Sequence, residues 1–116
     1  MILISAVLEF ANQEDRDRCI EICAPIQWDT RTQEEGCESY CFAADPCVPN
    51  CIQVYERWES EEAMEAHFKH PTYARMVEAL GSCNIVESRN RMYLVSKDQP
   101  VYHEDGTPRV MPIFED

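Results

Sequence analysis

A chain of 116 residues, 45% of them hydrophobic and only three of them glycine, suits one packed domain and excludes both a two-domain protein and a disordered linker. Ten Lys and Arg against 22 Asp and Glu give a net charge of −12, which argues against nucleic-acid phosphates and anionic lipid headgroups as partners. No apolar run nears the ~20 residues that span a bilayer, and the opening Met1-Ile2-Leu3-Ile4 lacks the basic flank of a signal peptide. No membrane contact and a cytoplasmic location are therefore expected.

Residues 2–10, an apolar run bounded by Asn12, predict a strand covered on both faces. Asn12, followed by Glu14 and Asp15, is the N-cap of a helix running to about Thr32, with Cys19, Ile20, Cys23 and Ile26 or Gln27 on its inner side. Pro25 lies inside it and removes one backbone hydrogen bond, so a kink or break is expected there. After Glu34-Glu35-Gly36, residues 37–44 and 51–58 read as two strands, antiparallel because only a short turn rich in Pro and Asn joins them. Alternation in the second sorts Ile52, Val54, Glu56 and Trp58 from Gln53, Tyr55 and Arg57.

Ser60 caps the next helix, which has Ala63, Met64, His67 and Phe68 as its inner stripe. His70-Pro71 interrupts it, and Pro71 opens a second helical piece, 71–80, stopped by Gly81. Residues 89–96 predict a last strand. The order β-α-β-β-α-β is the split βαβ pattern of an α+β, ferredoxin-like domain over residues 1–96. Residues 97–116 form a C-terminal arm with a turn at Asp105-Gly106. Its Pro100, Pro108 and Pro112 bar a central strand, so the arm is expected to pack at an edge of its own or a neighbouring subunit. The small core and the mixed polarity of both sheet faces predict a homodimer formed through the sheet.

Six of the seven cysteines fall in C-x3-C pairs. Cys37 and Cys41 lie on a strand, where four residues span ~13 Å, too far for one zinc to take both thiolates. Cys19 and Cys23 lie one turn apart on a helix, where small apolar side chains pack well. Free thiols are expected, with no metal site.

Specific words accompany the element order. Glu35-Gly36-Cys37-Glu38-Ser39-Tyr40 resembles the entry to the second strand in the antibiotic biosynthesis monooxygenase family, although Glu35 stands where that family has Pro. Asp45-Pro46 with Pro49-Asn50 resembles its hairpin. The run Tyr55-Glu56-Arg57-Trp58-Glu59-Ser60-Glu61-Glu62-Ala63, then Glu65-Ala66-His67 and Pro71-Thr72-Tyr73, resembles its strand-to-helix signature and the start of its next helix. The resemblance covers about residues 2–96. It implies a dimeric α/β barrel, two sheets facing each other, with a cavity between each sheet and its own helices. It also implies cofactor-independent oxidation of a small electron-rich aromatic, quinol-like or hydroxyanthrone-like, by dioxygen without flavin, haem or metal. The alternative is a dimeric module that binds a small aromatic ligand without turning it over. A haem-degrading branch of the fold has an iron-ligating His in the helix after Pro71 and an Asn on the first strand; Tyr73-Ala74-Arg75-Met76-Val77 and Ala6-Val7-Leu8 supply neither.

Such chemistry needs a base, a donor for a developing oxyanion and a dry aromatic pocket. His67 is the candidate base or proton shuttle, against the alternative that it only ties its helix to the sheet. Trp58 is the second catalytic candidate, a pocket wall whose indole N–H meets a substrate oxygen, although filling the core is the commoner fate of Trp. Tyr73 at the rim, with Tyr40 and Phe68 as walls, are the candidate substrate contacts. Glu56 and Arg75 are explained as well by solvated charge.

Overall fold

The computed structural model of the protein describes residues 1–114, so positions 115 and 116 of the arm lie outside the described residues. Strand β1 (Ile2–Phe10) buries Ile2, Ala6, Leu8 and Phe10 beneath the helices and half-buries Ile4 on the same side. It is followed by helix α1 (Gln13–Gln33), strands β2 (Cys37–Ala44) and β3 (Cys51–Trp58), helices α2 (Glu61–Lys69) and α3 (Pro71–Gly81), and strand β4 (Ile85–Leu94). The strands form one antiparallel sheet in the order β2-β3-β1-β4, which is the ferredoxin-like arrangement. Among the described residues no helix is long and apolar enough to cross a membrane.

The helix starts follow the predicted caps. Asn12 Oδ1 accepts from the Asp15 N–H at 2.8 Å, and Ser60 Oγ from that of Ala63 at 3.1 Å. The break at His70-Pro71 also falls as expected, with His70 Nδ1 accepting from the Thr72 N–H at 3.1 Å to cap α3. Three expectations need correction. Strand β1, expected to be covered on both faces, is covered on one: Ser5 is exposed and Leu3, Val7 and Glu9 are only partly buried. Pro25 does not break α1, which runs unbroken through it; the residue lies on the exposed side, where water can satisfy the carbonyl that loses its partner. The last strand starts four residues earlier than predicted, because Ile85 already pairs with Phe10 and β4 then follows β1 to its other end. Its residues from Val86 onward are exposed, so no buried alternation marks them in the sequence.

The core joins Phe10, Ile52 and Trp58 of the sheet to Met64 and Met76 of the helices. Cys19, Cys23 and Cys83 fill the seam below α1, the first two with sulfurs 3.7 Å apart, and none of the seven cysteines is in a disulfide. Among the described residues the other face of the sheet has no helix on it, and it carries Leu3, Val7 and a half-exposed Tyr55. Beyond β4, the Val95 N–H donates to Met1 O, and the arm turns back at Asp105-Gly106, where Tyr102 bridges Pro108. Val101, Tyr102, Val110 and Met111 of the arm are all more than half exposed.

Gly36 sets the height of α2 over the sheet. Its φ of +84° lies in the left-handed region, and a Cβ there would sit 2.6 Å from the Ala63 side chain. Its carbonyl accepts from the Glu59 N–H at 2.8 Å, which pins the start of α2 to the entry of β2. Gly36→Ala is expected to cost about 2–4 kcal/mol, from backbone strain together with overpacking. Urea denaturation checks this, and a loss below about 1 kcal/mol would mean that α2 can rise off the strand without penalty.

Candidate active site

A cavity of about 300 Å³ opens between the sheet and the helices. Its floor is Ile4, Ala6 and Leu8 of β1, Tyr40 and Phe42 of β2, and Val54 and Glu56 of β3; its roof is His67 and Phe68 of α2 with Tyr73, Met76 and Val77 of α3. Ser88, Asn90, Arg91 and Met92 of β4 form the remaining side, where register places Asn90 beside Ala6. Four of the five sequence candidates, His67, Tyr40, Phe68 and Tyr73, therefore share one cavity. The other three are in ring contact with His67: Tyr40 and Tyr73 meet it edge-on at 5.5 and 5.4 Å, and Phe68 lies 5.9 Å from it.

His67 is held by a residue that sequence reading passed over. Its Nδ1 lies 2.8 Å from Glu34 Oε1, with both side chains at most 4% exposed. The Thr72 hydroxyl donates to Glu34 Oε2 at 2.5 Å. A carboxylate that accepts from Thr72 on one oxygen receives the His67 Nδ1–H on the other, leaving Nε2 as the ring nitrogen able to meet a ligand. Burial, outweighing the opposing pull of Glu34, lowers the His67 pKa from its ordinary value, so the imidazole is neutral at physiological pH.

Trp58 takes a different place from the one expected. It is fully buried behind the cavity wall, and its indole N–H donates to Glu56 Oε1 at 3.0 Å, so it is not placed to meet a substrate oxygen. Its ring backs His67 with centroids 4.4 Å apart and planes 32° from parallel. The account of Glu56 as a solvated charge is also overturned: it is 7% exposed, it lines the cavity, and it has no salt bridge among the described residues. Burial first, and the nearby Glu34 next, push its carboxyl up to about 7 against the lowering effect of the indole hydrogen bond. Burial likewise holds Tyr40 as a neutral phenol. Arg75 pairs at 2.8 Å with Asp29 on the surface and takes no part.

The sequence did carry signals for both carboxyls. Glu56 sits in the alternating set with Ile52, Val54 and Trp58, and an acid on an apolar face is the informative exception. Glu34 is the C-cap of α1, where the helix dipole disfavours an anion, so a carboxylate there needs other partners. Among the described residues, no three His, Cys, Asp or Glu side chains converge in a way that could hold a metal ion.

A ferredoxin-like sheet roofed by helices over an aromatic, histidine-bearing cavity defines the class of fold. The family model described as antibiotic biosynthesis monooxygenase matches residues 1–79, and the chain belongs to that family. Among solved structures, a protein of Deinococcus radiodurans named as a candidate antibiotic biosynthesis monooxygenase is 22% identical, with a TM-score of 0.77 over 89% of this chain and 100% of its own. Proteins given the same description from Nitrosomonas europaea and Caulobacter crescentus are 12% and 11% identical, with TM-scores of 0.71 and 0.72. They cover 84% and 83% of this chain, and 100% and 91% of their own. At these identities the likeness establishes the fold. No curated protein sequence matches the chain.

The carboxyl of Glu56 has a consequence for stability. Because its folded value of about 7 lies above the ordinary 4.5, its contribution is fully present below pH 4.5 and is lost as pH rises through 7, about 3 kcal/mol in all. Glu56→Gln keeps an oxygen for the Trp58 N–H and removes the titration. Relative to the parent, the variant should therefore gain roughly 2–3 kcal/mol between pH 5 and pH 8 in urea denaturation. A difference that stays constant across that range would mean that Glu56 ionises as if solvated.

Proposed function

We propose that the protein is a cofactor-independent monooxygenase acting on a small electron-rich aromatic, of the quinol or hydroxyanthrone kind, with dioxygen as co-substrate. Membership of the antibiotic biosynthesis monooxygenase family supports a monooxygenase-like function in general. What supports the finer reading is the His67–Glu34 contact of 2.8 Å at the wall of a largely aromatic cavity. A neutral imidazole with Nδ1 fixed by a carboxylate presents Nε2 as a base, and the imidazolium that forms is stabilised by the same carboxylate.

The proton leaves a substrate hydroxyl for Nε2, and the O–H electron pair stays on the substrate oxygen. The resulting phenolate or enolate is electron-rich enough to reduce dioxygen. One oxygen atom enters the substrate and the other leaves as water, all four electrons coming from the substrate, so the balance requires no bound redox group. Phe68, Tyr73 and Tyr40 give the ring its aromatic surroundings, and Trp58 acts behind them by fixing the His67 ring and Glu56.

The protein acts as a homodimer in this reading, its sheets facing each other through the side that has no helices. Support comes from Leu3, Val7 and Tyr55 on that face and from the apolar residues the arm leaves exposed. Seven thiols without a disulfide suit a reducing compartment such as the cytoplasm.

Sedimentation at micromolar concentration should give twice the chain mass; a stable monomer would remove the dimer. In an oxygen electrode the protein should consume dioxygen with a naphthalene-diol or hydroxyanthrone. His67→Ala should lower kcat by about 10²–10⁴-fold while leaving the melting transition cooperative. If such compounds bind by calorimetry but none is oxidised, the protein is a binding module. If the variant oxidises them as fast as the parent, His67 is not the base.

A further inference from the structure

The cavity holds a second polar group that the proposed base leaves without a role. Glu56 projects from β3 on the side facing the helices, with the Trp58 indole N–H on Oε1 at 3.0 Å. Among the described residues no other hydrogen-bond donor and no cation within salt-bridge distance meets this carboxyl, although its residue is more than nine-tenths buried. A buried carboxyl without a counter-ion costs stability, and a merely structural acceptor for Trp58 would be served at lower cost by Gln. Glu56 is the carboxyl of the floor, as His67 is the imidazole of the roof.

We propose that Glu56 is a substrate-contacting residue, a carboxylic acid that donates a hydrogen bond to the substrate oxygen on which negative charge gathers as His67 withdraws the proton. This rests on the reading of His67 as the base, and it defines the ligand class more narrowly. The substrate is uncharged when it binds, with a hydroxyl for His67 and a hydroxyl or carbonyl oxygen within reach of Glu56.

No bond to Glu56 is made or broken. The proton moves from the substrate O–H to His67 Nε2, the electron pair remains on oxygen, and Glu56 keeps its own proton while donating the hydrogen bond. Most groups that face Glu56 favour this protonated form, and Arg91 at the mouth is a cation that opposes it. From α1, Glu34 opposes a second negative charge, and Arg31 is turned to the backbone, with its Nε donating to Tyr40 O at 2.6 Å. From β2 come the neutral Tyr40 phenol and the Cys37 thiol, both held up by burial with Glu56 nearby. From α2 comes the neutral His67; α3 offers Tyr73, and β4 contributes Asn90 and Arg91 at the mouth. Strand β1 places only Ile4 beside Glu56 in register.

The test is calorimetric binding of 1-naphthol, an uncharged phenol, to the full chain between pH 6 and pH 8 without oxygen. The parent should lose about tenfold in affinity across that range as Glu56 ionises. Glu56→Gln, which keeps a donor but does not titrate, should lose that pH dependence, and His67→Ala should keep it. Glu56→Leu should bind about tenfold or more weakly at pH 6, with circular dichroism confirming that it folds. No binding to the parent, a dependence that persists in Glu56→Gln, or undiminished binding by Glu56→Leu would overturn the proposal. Because binding is read without turnover, a parent that shows the pH dependence yet oxidises no aromatic would remove the monooxygenase reading and leave Glu56 as the ligand contact.

Discussion

The contact between Glu34 and His67 ties together three elements that no strand pairing holds. Glu34 ends α1, His67 lies in the last turn of α2, and Thr72 lies in the first turn of α3. The carboxylate therefore stands at the unfavourable end of one helix and near the favourable N-terminal end of another, and the hydroxyl and imidazole complete its hydrogen bonding. The roof of the cavity is assembled around this one buried anion. A helix break at His70-Pro71 is what allows α2 and α3 to approach it from two directions.

A second carboxyl in the same small interior obeys a different rule. Burial, with Glu34 nearby, pushes the Glu56 carboxyl up to about 7, so it exchanges its proton near neutral pH. In the proposed step the summed charge of the interior is the same before and after: a proton passes from substrate to His67, and the new imidazolium faces the anion that was already there. Nothing has to cross from solvent to keep that balance. Burial lowers the His67 imidazole and raises the Glu56 carboxyl, which is how one cavity can offer a proton acceptor and a proton donor near neutral pH.

Much of this was legible in the sequence where local chemistry decides the outcome. Asn12, Ser60 and Pro71 mark helix starts with groups that satisfy or lack backbone N–H donors, and the structure follows them. The apolar face of β3 follows from alternation, while the aromatic cavity was what the family resemblance implied. What escaped reading was set by tertiary surroundings. Whether Glu56 meets water or the core depends on what α2 lays over it, and whether Trp58 donates to a ligand or to a carboxyl depends on a neighbour two residues away. Pro25 misled because the penalty of a proline depends on whether water reaches the abandoned carbonyl.

Strand β4 was blurred for a reason that also bears on how the protein survives in solution. It hydrogen-bonds to β1 alone, and its other edge is unpaired among the described residues, ten residues long and exposed on both faces. A bare edge of that length is a template for pairing with any other extended chain. Glu87, Arg89 and Arg91, with the first two in a salt bridge of 2.8 Å, place charge along it. The polar pattern that hides the strand from a search for hydrophobic alternation is the same one that discourages a foreign strand from joining the sheet, so the open side of the cavity is also the guarded border of the fold.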